Sequence, residues 1–339
     1  VRKLAILTIA LLSSAACLWA QGTTEATEAK SADGLTKVSI QLDGGATPYY
    51  APLYVAQQKG YFKEAGLDVD FYYAAASDIV KNVAAGNVEF GFPNADAVVT
   101  AKSNGVPVKV VHNTYQHGLG STIFKADSGI TSAKDLKGKR IAVTSLGSPN
   151  YIQLQVLLKS VGLTLDDIDL EIIGTGAILN SLTTGKVDAI VFSMLRTIEL
   201  NNAGADVKEI RSDTVLPSFG NVLISGDAYI KEHPEVVDAF SSALTKAIQY
   251  ICDGHAEEAV DLSIANYVKT FNASKRDVTI QIINEVFKTY LWQSDFTKAN
   301  GIGTADPARW NKLINIQHEY GIIDNVFDAN DLLYSKIIK

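Results

Sequence analysis

The chain has 339 residues, 47% of them hydrophobic and 20% charged, with a formal net charge of −7. That length accommodates two domains with cores of their own, and the hydrophobic share is that of an ordinary globular protein. A negative balance with six dispersed arginines excludes a nucleic-acid surface, which needs a basic face.

Arg2 and Lys3 precede an apolar run from Leu4 to Leu12, and Ser13 to Ala16 supply small residues before Cys17. The pattern predicts a secretory signal over residues 1–20, too short to span a bilayer. Ser14-Ala15-Ala16-Cys17 resembles a lipoprotein processing site with Cys17 as the lipidated residue, although Ser14 stands where bacterial lipoboxes usually carry leucine. Ordinary cleavage after Ala16 or Ala20 is the other reading. The polar stretch 21–34 lacks apolar periodicity and reads as a flexible tether. The expected location is periplasmic or otherwise extracytoplasmic, with membrane contact through a lipid anchor alone. Cys252 is the only other cysteine, so no disulfide is expected and stability must come from the core.

The alternation of Val38, Ile40 and Leu42 predicts a strand that ends at the turn Asp43-Gly44-Gly45. A helix follows, with Pro52 at its first position and Gly60 past its end. Leu67 to Tyr73 reads as a second strand. Ser77 is expected to cap a helix carrying Ile79, Val80, Val83 and Ala84 on one face, with Gly86 as its stop.

Gly86 to Val111 then appears twice. Gly185 to Ile210 runs parallel to it at a constant offset of 99 that pairs Gly86/Gly185, Val88/Val187, Glu89/Asp188, Gly105/Gly204, Val108/Val207 and Lys109/Lys208 without a gap. Each copy reads as glycine stop, short buried strand, helix, glycine stop and second strand. Two copies in register predict two similar α/β lobes with a ligand between them, unless two unrelated αβ units agree by chance.

Tyr115 to Gly120 reads as a polar, flexible crossing into the second lobe, and Leu216 to Gly220 as the return. Between them lie a short capped helix, the strand Arg140 to Thr144, a helix opened by Ser148 and Pro149 and stopped at Gly162, the strand Leu170 to Ile173, and the second copy. From Pro234 on, helical spacing dominates, and these helices are expected to pack back on the first lobe. The division is therefore 35–115 plus 221–339 for lobe 1 and 120–216 for lobe 2.

The stretch TPYYAPLYVAQQKGYFKEAGLDV, with DSGITSAKDLKGKRIAV, GKVDAI and AYIKEHPEVVDAF, resembles bacterial solute-binding proteins of the importer family for nitrate, alkanesulfonates, thiamine-pyrimidine precursors and riboflavin. The resemblance runs from about Val38 to about Tyr267. It implies a type II periplasmic-binding-protein fold, two α/β lobes joined by two crossing segments, that closes over a small molecule and delivers it to an ABC permease. A monomer is expected.

In open α/β lobes ligands bind beyond the carboxyl ends of strands, near helix N-termini. Four loops qualify, offering Tyr49 and Tyr50; Phe92, Asn94 and Asp96; Ser145, Ser148, Asn150 and Tyr151; and Phe192 and Arg196. Tyr115 and Asn221, beside the crossings, complete the candidates. Each has a plainer reading: the tyrosines as cover for a helix, Asp96 as a helix-dipole charge, Ser148 as an N-cap, Arg196 as an ion-pair partner. The aromatics favour a planar heterocycle of the thiamine-pyrimidine or flavin kind, since nitrate or sulfonate calls for concentrated cationic and N–H donors. An alkanesulfonate, taurine or nitrate ligand is the alternative.

Fungal thiamine-pyrimidine synthases resemble the same fold and carry a cysteine-rich iron motif. This chain has no cysteine cluster, no dinucleotide or phosphate-loop fingerprint and five dispersed histidines, so neither enzyme activity nor a metal or cofactor is expected. A lipoprotein adhesin or sensor on the same scaffold is the third class.

Overall fold

A computed structural model describes residues 30–339. The expected signal and Cys17 lie outside the described residues, as does most of the expected tether. The first sheet begins with β1 (Thr36–Asp43), β2 (Leu67–Ala74), β3 (Phe90–Phe92) and β4 (Val108–His112). The chain then crosses to a second sheet built from β5 (Gly120–Lys125), β6 (Arg140–Val143), β7 (Asp169–Ile172), β8 (Ala189–Ser193) and β9 (Val207–Arg211), and returns as β10 (Leu223–Gly226). The strand orders are β2-β1-β3-β10-β4 and β7-β6-β8-β5-β9. In each sheet one strand, β10 or β5, runs antiparallel to its neighbours, and it is the strand that begins just after a crossing.

The repeat is structural. β3 and β8 are the middle strands, β4 and β9 the edges, and the copies end at His112 and Arg211, 99 residues apart. Gly86, Gly105, Gly185 and Gly204 have φ of 72°, 79°, 74° and 83°, the left-handed region that glycine enters without a Cβ clash. The Glu89/Asp188 pair has a specific purpose. Glu89 Oε2 accepts the backbone N–H of Ser39 at 2.6 Å, and Asp188 Oδ2 accepts that of Arg140 at 2.9 Å. Ser39 and Arg140 hold the same place, each one residue before the isoleucine that pairs with the first residue of the middle strand (Ile40 with Phe90, Ile141 with Ala189). An acid thus satisfies a central-strand donor at the point where the middle strand has not yet begun.

The long helix Pro234–Cys252 and the helix Ala256–Asn266 pack on the first lobe, bringing Phe240, Ile248 and Val260 against Ile40, Tyr54 and Phe90. Phe240 and Phe90 stack at 4.3 Å, and each fully buried phenylalanine contributes roughly 1.5–3 kcal/mol. Cys252 is a free, buried thiol whose burial pushes it up to about 11. After the helix Arg276–Ile282 the chain widens into a nine-residue π-helix, Ile283–Leu291.

Three local expectations are corrected. A 3-10 turn at Pro48–Tyr50, capped by Thr47, precedes the helix Ala51–Gln58, so Pro52 takes its second position. Ser77 lies inside the helix Ala76–Ala84 rather than capping it; Ala75 holds the N-cap position. The first crossing is packed rather than loose: Tyr115 and Gln116 are buried, with their N–H groups donating to Asn221 O at 3.0 Å and Leu291 O at 2.6 Å. Among the described residues no helix is long and apolar enough to cross a membrane.

Candidate functional site

The carboxyl ends of the two sheets face each other across a cleft of about 330 Å³. One wall is the loop after β1 with Tyr49, Tyr50, Tyr115, Asn221 and Phe287; the other is the loop and helix start after β6, with Ser148 and Asn150, together with Phe192 and Arg196 after β8. Eight of the thirteen predicted residues therefore come together here: Tyr49, Tyr50, Tyr115, Ser148, Asn150, Phe192, Arg196 and Asn221.

The other five are not among the lining residues. Phe92 sits behind the wall, edge-on to Tyr50 at 6.0 Å and to Tyr115 at 5.6 Å. Asn94 caps the helix Ala95–Ser103, its Oδ1 accepting the Asp96 N–H at 3.0 Å. Asp96 is fully buried, its carboxylate accepting from Ser218 Oγ, Gln153 Nε2 and Gln317 Nε2. Ser145 offers its carbonyl to Ser148 Oγ at 2.8 Å, and Tyr151 packs on the second lobe's core.

The aromatic wall is closely packed. Tyr49 stacks on Phe287 at 5.2 Å with 14° between planes, and Tyr115 stands edge-on to Phe287 at 5.5 Å. The phenols are spent on the protein: Tyr50 Oη donates to Asp43 O, Tyr115 Oη to Tyr49 O at 3.2 Å, and Tyr49 Oη to Glu199 Oε1 at 2.9 Å. Burial pushes all three phenols upward, so they stay protonated and donate. What the tyrosines leave for a ligand is ring surface.

Glu199 ties the lobes together beside the cleft. It receives Arg196 Nη1 at 2.6 Å from its own helix, and Tyr49 Oη and Lys275 Nζ (3.2 Å) from the first lobe. Burial pushes its carboxyl up, but Arg196, Lys275 and the Tyr49 hydroxyl outweigh that and hold it below the usual glutamate range. Arg196 lies over the Phe192 ring at 5.4 Å, and its Nε is buried without a hydrogen-bond partner. Across the cleft, burial pushes Asp43 up to about 6, although the nearby backbone N–H groups of Ala76 and Gly44 favour its charged form.

Sequence reading missed Asp43, Glu199 and Phe287. Asp43 had a signal, a carboxylate ending the first strand before two glycines at the sheet's carboxyl edge. Phe287 reaches Tyr49 from far along the chain, and nothing local announces it. Among the described residues no group of three or more His, Cys, Asp or Glu side chains could hold a metal ion.

The family described as NMT1/THI5 like matches residues 47–259. A 4-amino-5-hydroxymethyl-2-methylpyrimidine phosphate synthase of Aspergillus parasiticus is 32% identical over 67% of this chain and 70% of its own length. The riboflavin-binding protein RibY of Chloroflexus aurantiacus is 24% identical over 90% of this chain and 86% of its own. The alkanesulfonate-binding protein SsuA of Xanthomonas axonopodis pv. citri, solved bound to MOPS, superposes with a TM-score of 0.68 at 14% identity, covering 90% of this chain and 99% of that one. The two-lobed periplasmic-binding-protein fold is thereby established. The expectation that the chain is not an enzyme is overturned: the Aspergillus relative, more similar in sequence than the binding protein RibY, is named as a synthase. The absence of a cysteine cluster was too narrow a criterion, because it tested one motif and not the fold's capacity for chemistry.

Proposed function

The chain belongs to the NMT1/THI5-like family, and on that premise we propose that it closes its two lobes over a small planar heterocycle, of the thiamine-pyrimidine or riboflavin type, and delivers it to an ABC permease. The observation that carries this reading is the aromatic lining of the cleft, where Tyr49, Tyr50, Tyr115, Phe192 and Phe287 supply rings while the three tyrosine hydroxyls serve the protein. Such faces bury a flat ring at low conformational cost. Ser148, Asn150, Asn221 and Arg196 supply the polar contacts that orient it. Closure needs differential contact between states, and Glu199 provides it, since its bonds to Tyr49 and Lys275 form only when the lobes meet. The working protein in this reading is an extracytoplasmic monomer, tethered through Cys17.

The pyrimidine phosphate synthase relative supports a second reading, in which the same cleft carries out chemistry on its pyrimidine. One experiment addresses both. The protein is screened by thermal shift against thiamine, 4-amino-5-hydroxymethyl-2-methylpyrimidine, riboflavin, taurine and nitrate, and the bound compound is then recovered and weighed by mass spectrometry. Ligand at 100 times its Kd adds about 2.7 kcal/mol of stability. A heterocycle that shifts the melt and returns unchanged supports capture and delivery. One that returns altered supports catalysis, and a shift with taurine or nitrate alone sinks the heterocycle assignment.

A further inference from the structure

The lobes also meet beside the crossings, through groups that do not line the cleft. Arg211 ends β9 in the second sheet, and Asp213 follows it in the turn Ser212–Thr214. Tyr290 belongs to the π-helix Ile283–Leu291, which packs on the first lobe's core through Ile283, Phe287 and Leu291. Tyr290 Oη donates to Asp213 Oδ2. Arg211 Nη2 donates to Tyr290 Oη at 3.1 Å, to Asp213 Oδ2 at 2.8 Å and to Gly118 O of the first crossing at 3.5 Å. The Tyr290 ring stacks on His117 of that crossing at 4.0 Å with 13° between planes. One side chain thus touches the second lobe and a crossing while its helix is rooted in the first lobe. The widened helix explains how this is possible. Residues three apart share a face of an α-helix, whereas the wider π turn swings them apart. Phe287 therefore lines the cleft against Tyr49 while Tyr290 turns to the crossing.

We propose that Arg211, Asp213 and Tyr290 form a latch across the hinge, which holds the unliganded protein toward its closed state without touching a ligand. The latch rests on the proposed closure and adds to it a control outside the cleft. Its direction follows from the contacts present together. The latch is made in the same arrangement in which Glu199 of the second lobe bonds Tyr49 and Lys275 of the first. Arg211 and Asp213 are fixed to the second sheet, so a rotation that opens the cleft carries them relative to Tyr290. The contact is also built to release. The Arg211 and Asp213 side chains keep 23% and 16% of their surface exposed and stay paired with each other at 2.8 Å, so opening strands no buried charge. What is lost is the phenol's pair of hydrogen bonds, a small difference of the size that tips a balance between two states. Because Phe287 and Tyr290 share one helix, the latch and the cleft wall shift together.

The test reads lobe separation directly. Spin labels are placed at the exposed positions Asp78→Cys on the first lobe and Asn180→Cys on the second, in the full chain with Cys17→Ser and Cys252→Ser. Their distance is measured by pulsed electron resonance without ligand. Adding Tyr290→Phe keeps the ring on His117 and deletes only the hydroxyl. The ratio of long to short separation is expected to rise about fivefold, with the melting temperature within a few degrees of the labelled parent. Asp213→Asn retains an oxygen for the phenol and should raise the ratio only about twofold. A lower melting temperature of Tyr290→Phe with an unchanged ratio makes Tyr290 a structural residue and overturns the latch. An unchanged or smaller ratio at unchanged melting temperature also overturns it, and leaves closure standing if the parent's separation varies by itself or on adding riboflavin, taurine or nitrate. One fixed separation in parent and variants alike, with and without those compounds, overturns the latch and the closure together.

Discussion

Two buried carboxylates join the lobes, one from each side, and they are held in opposite ways. Asp96 leaves the first lobe and meets only neutral donors, Ser218 Oγ at 2.6 Å, Gln153 Nε2 at 2.9 Å and Gln317 Nε2 at 3.2 Å. Glu199 leaves the second lobe and meets two cations and a phenol. Burial pushes Asp96 up to about 6 against those hydrogen bonds, whereas the cations carry Glu199 below its ordinary range. Location explains the difference. Ser218 belongs to the return crossing and Gln317 to the helix Pro307–Glu319, so Asp96 knits four segments where the lobes are joined by covalent chain. Glu199 sits beside the cleft, where the proposed closure makes and breaks the contact. Neutral donors suit a permanent joint, and a charge-assisted cluster suits a contact that responds to closure.

Removing the permanent joint should have the largest effect. Asp96→Ala leaves the buried Gln153 and Gln317 amide donors unpaired, while Ser218 Oγ can still donate to Phe219 O at 2.9 Å, and urea denaturation is expected to show a loss of about 3 kcal/mol. Asp96→Asn should lose far less, because Gln153 Oε1 and Gln317 Oε1 are both buried without partners, and an amide turned over at either can accept from the new NH₂. A loss below about 1 kcal/mol for the alanine variant would show that water or repacking replaces the carboxylate.

Acidity separates the two carboxylates by sign. Asp96 has a folded value of about 6 against 3.8 unfolded, so the native state binds its proton first and the stability it contributes grows as pH falls through 6. Comparison with Asp96→Asn cancels Asp43, His112 and His117, which both chains share. The stability of the wild type relative to that variant should rise by about 2 kcal/mol between pH 7 and pH 4. Glu199 behaves in reverse: its folded value is depressed, so its contribution is complete above the unfolded 4.5 and is lost as pH falls through the folded value. Wild type relative to Glu199→Gln should therefore lose stability only below about pH 4.5. Two difference curves of the same sign would break the contrast.

Glu199→Ala should act on binding more than on folding. Arg196 and Lys275 keep 26% and 48% of their side-chain surface exposed, so water receives them when the carboxylate is gone. The expected result is a ligand Kd raised about tenfold, equivalent to about 1.4 kcal/mol, with an unliganded melting temperature within a few degrees of wild type. A large fall in unliganded stability with unchanged Kd would make Glu199 a structural residue like Asp96.

Much of this was legible in the sequence, for definite reasons. The offset of 99 stands out because left-handed glycines and a strand-preceding acid are local requirements that recur wherever the αβ unit recurs. Tyr49, Tyr50, Ser148 and Arg196 could be placed near the cleft because the carboxyl ends of strands are fixed by chain direction. Asp96 could not be told from a ligand residue, since its partners lie 57, 122 and 221 residues away and only the folded chain shows that they enclose it. The stretch from Arg276 to Leu291 was read correctly as helical, but its widening to a π-helix, which carries Phe287 stacked on Tyr49 and Tyr290 on His117 at 4.0 Å, leaves no mark in apolar periodicity.

The smallest effect belongs to Lys275, and it tests whether the responsive cluster is built of equal parts. Its ammonium is half exposed and meets Glu199 Oε2 at 3.2 Å, while Tyr49 and Arg196 share Oε1 from more buried positions. An exposed ion pair is worth roughly 0.5 kcal/mol after solvent screening and lost side-chain freedom. Lys275→Ala should therefore raise the ligand Kd about twofold at low ionic strength and have almost no effect at 0.5 M salt, where screening has already removed the pair. Tyr49→Phe deletes a buried hydroxyl donor, and its effect should be larger and independent of salt. If the lysine variant instead matches Tyr49→Phe at both ionic strengths, the ammonium is desolvated when the lobes close, and the Lys275 contact belongs to the closed state as fully as the phenol does.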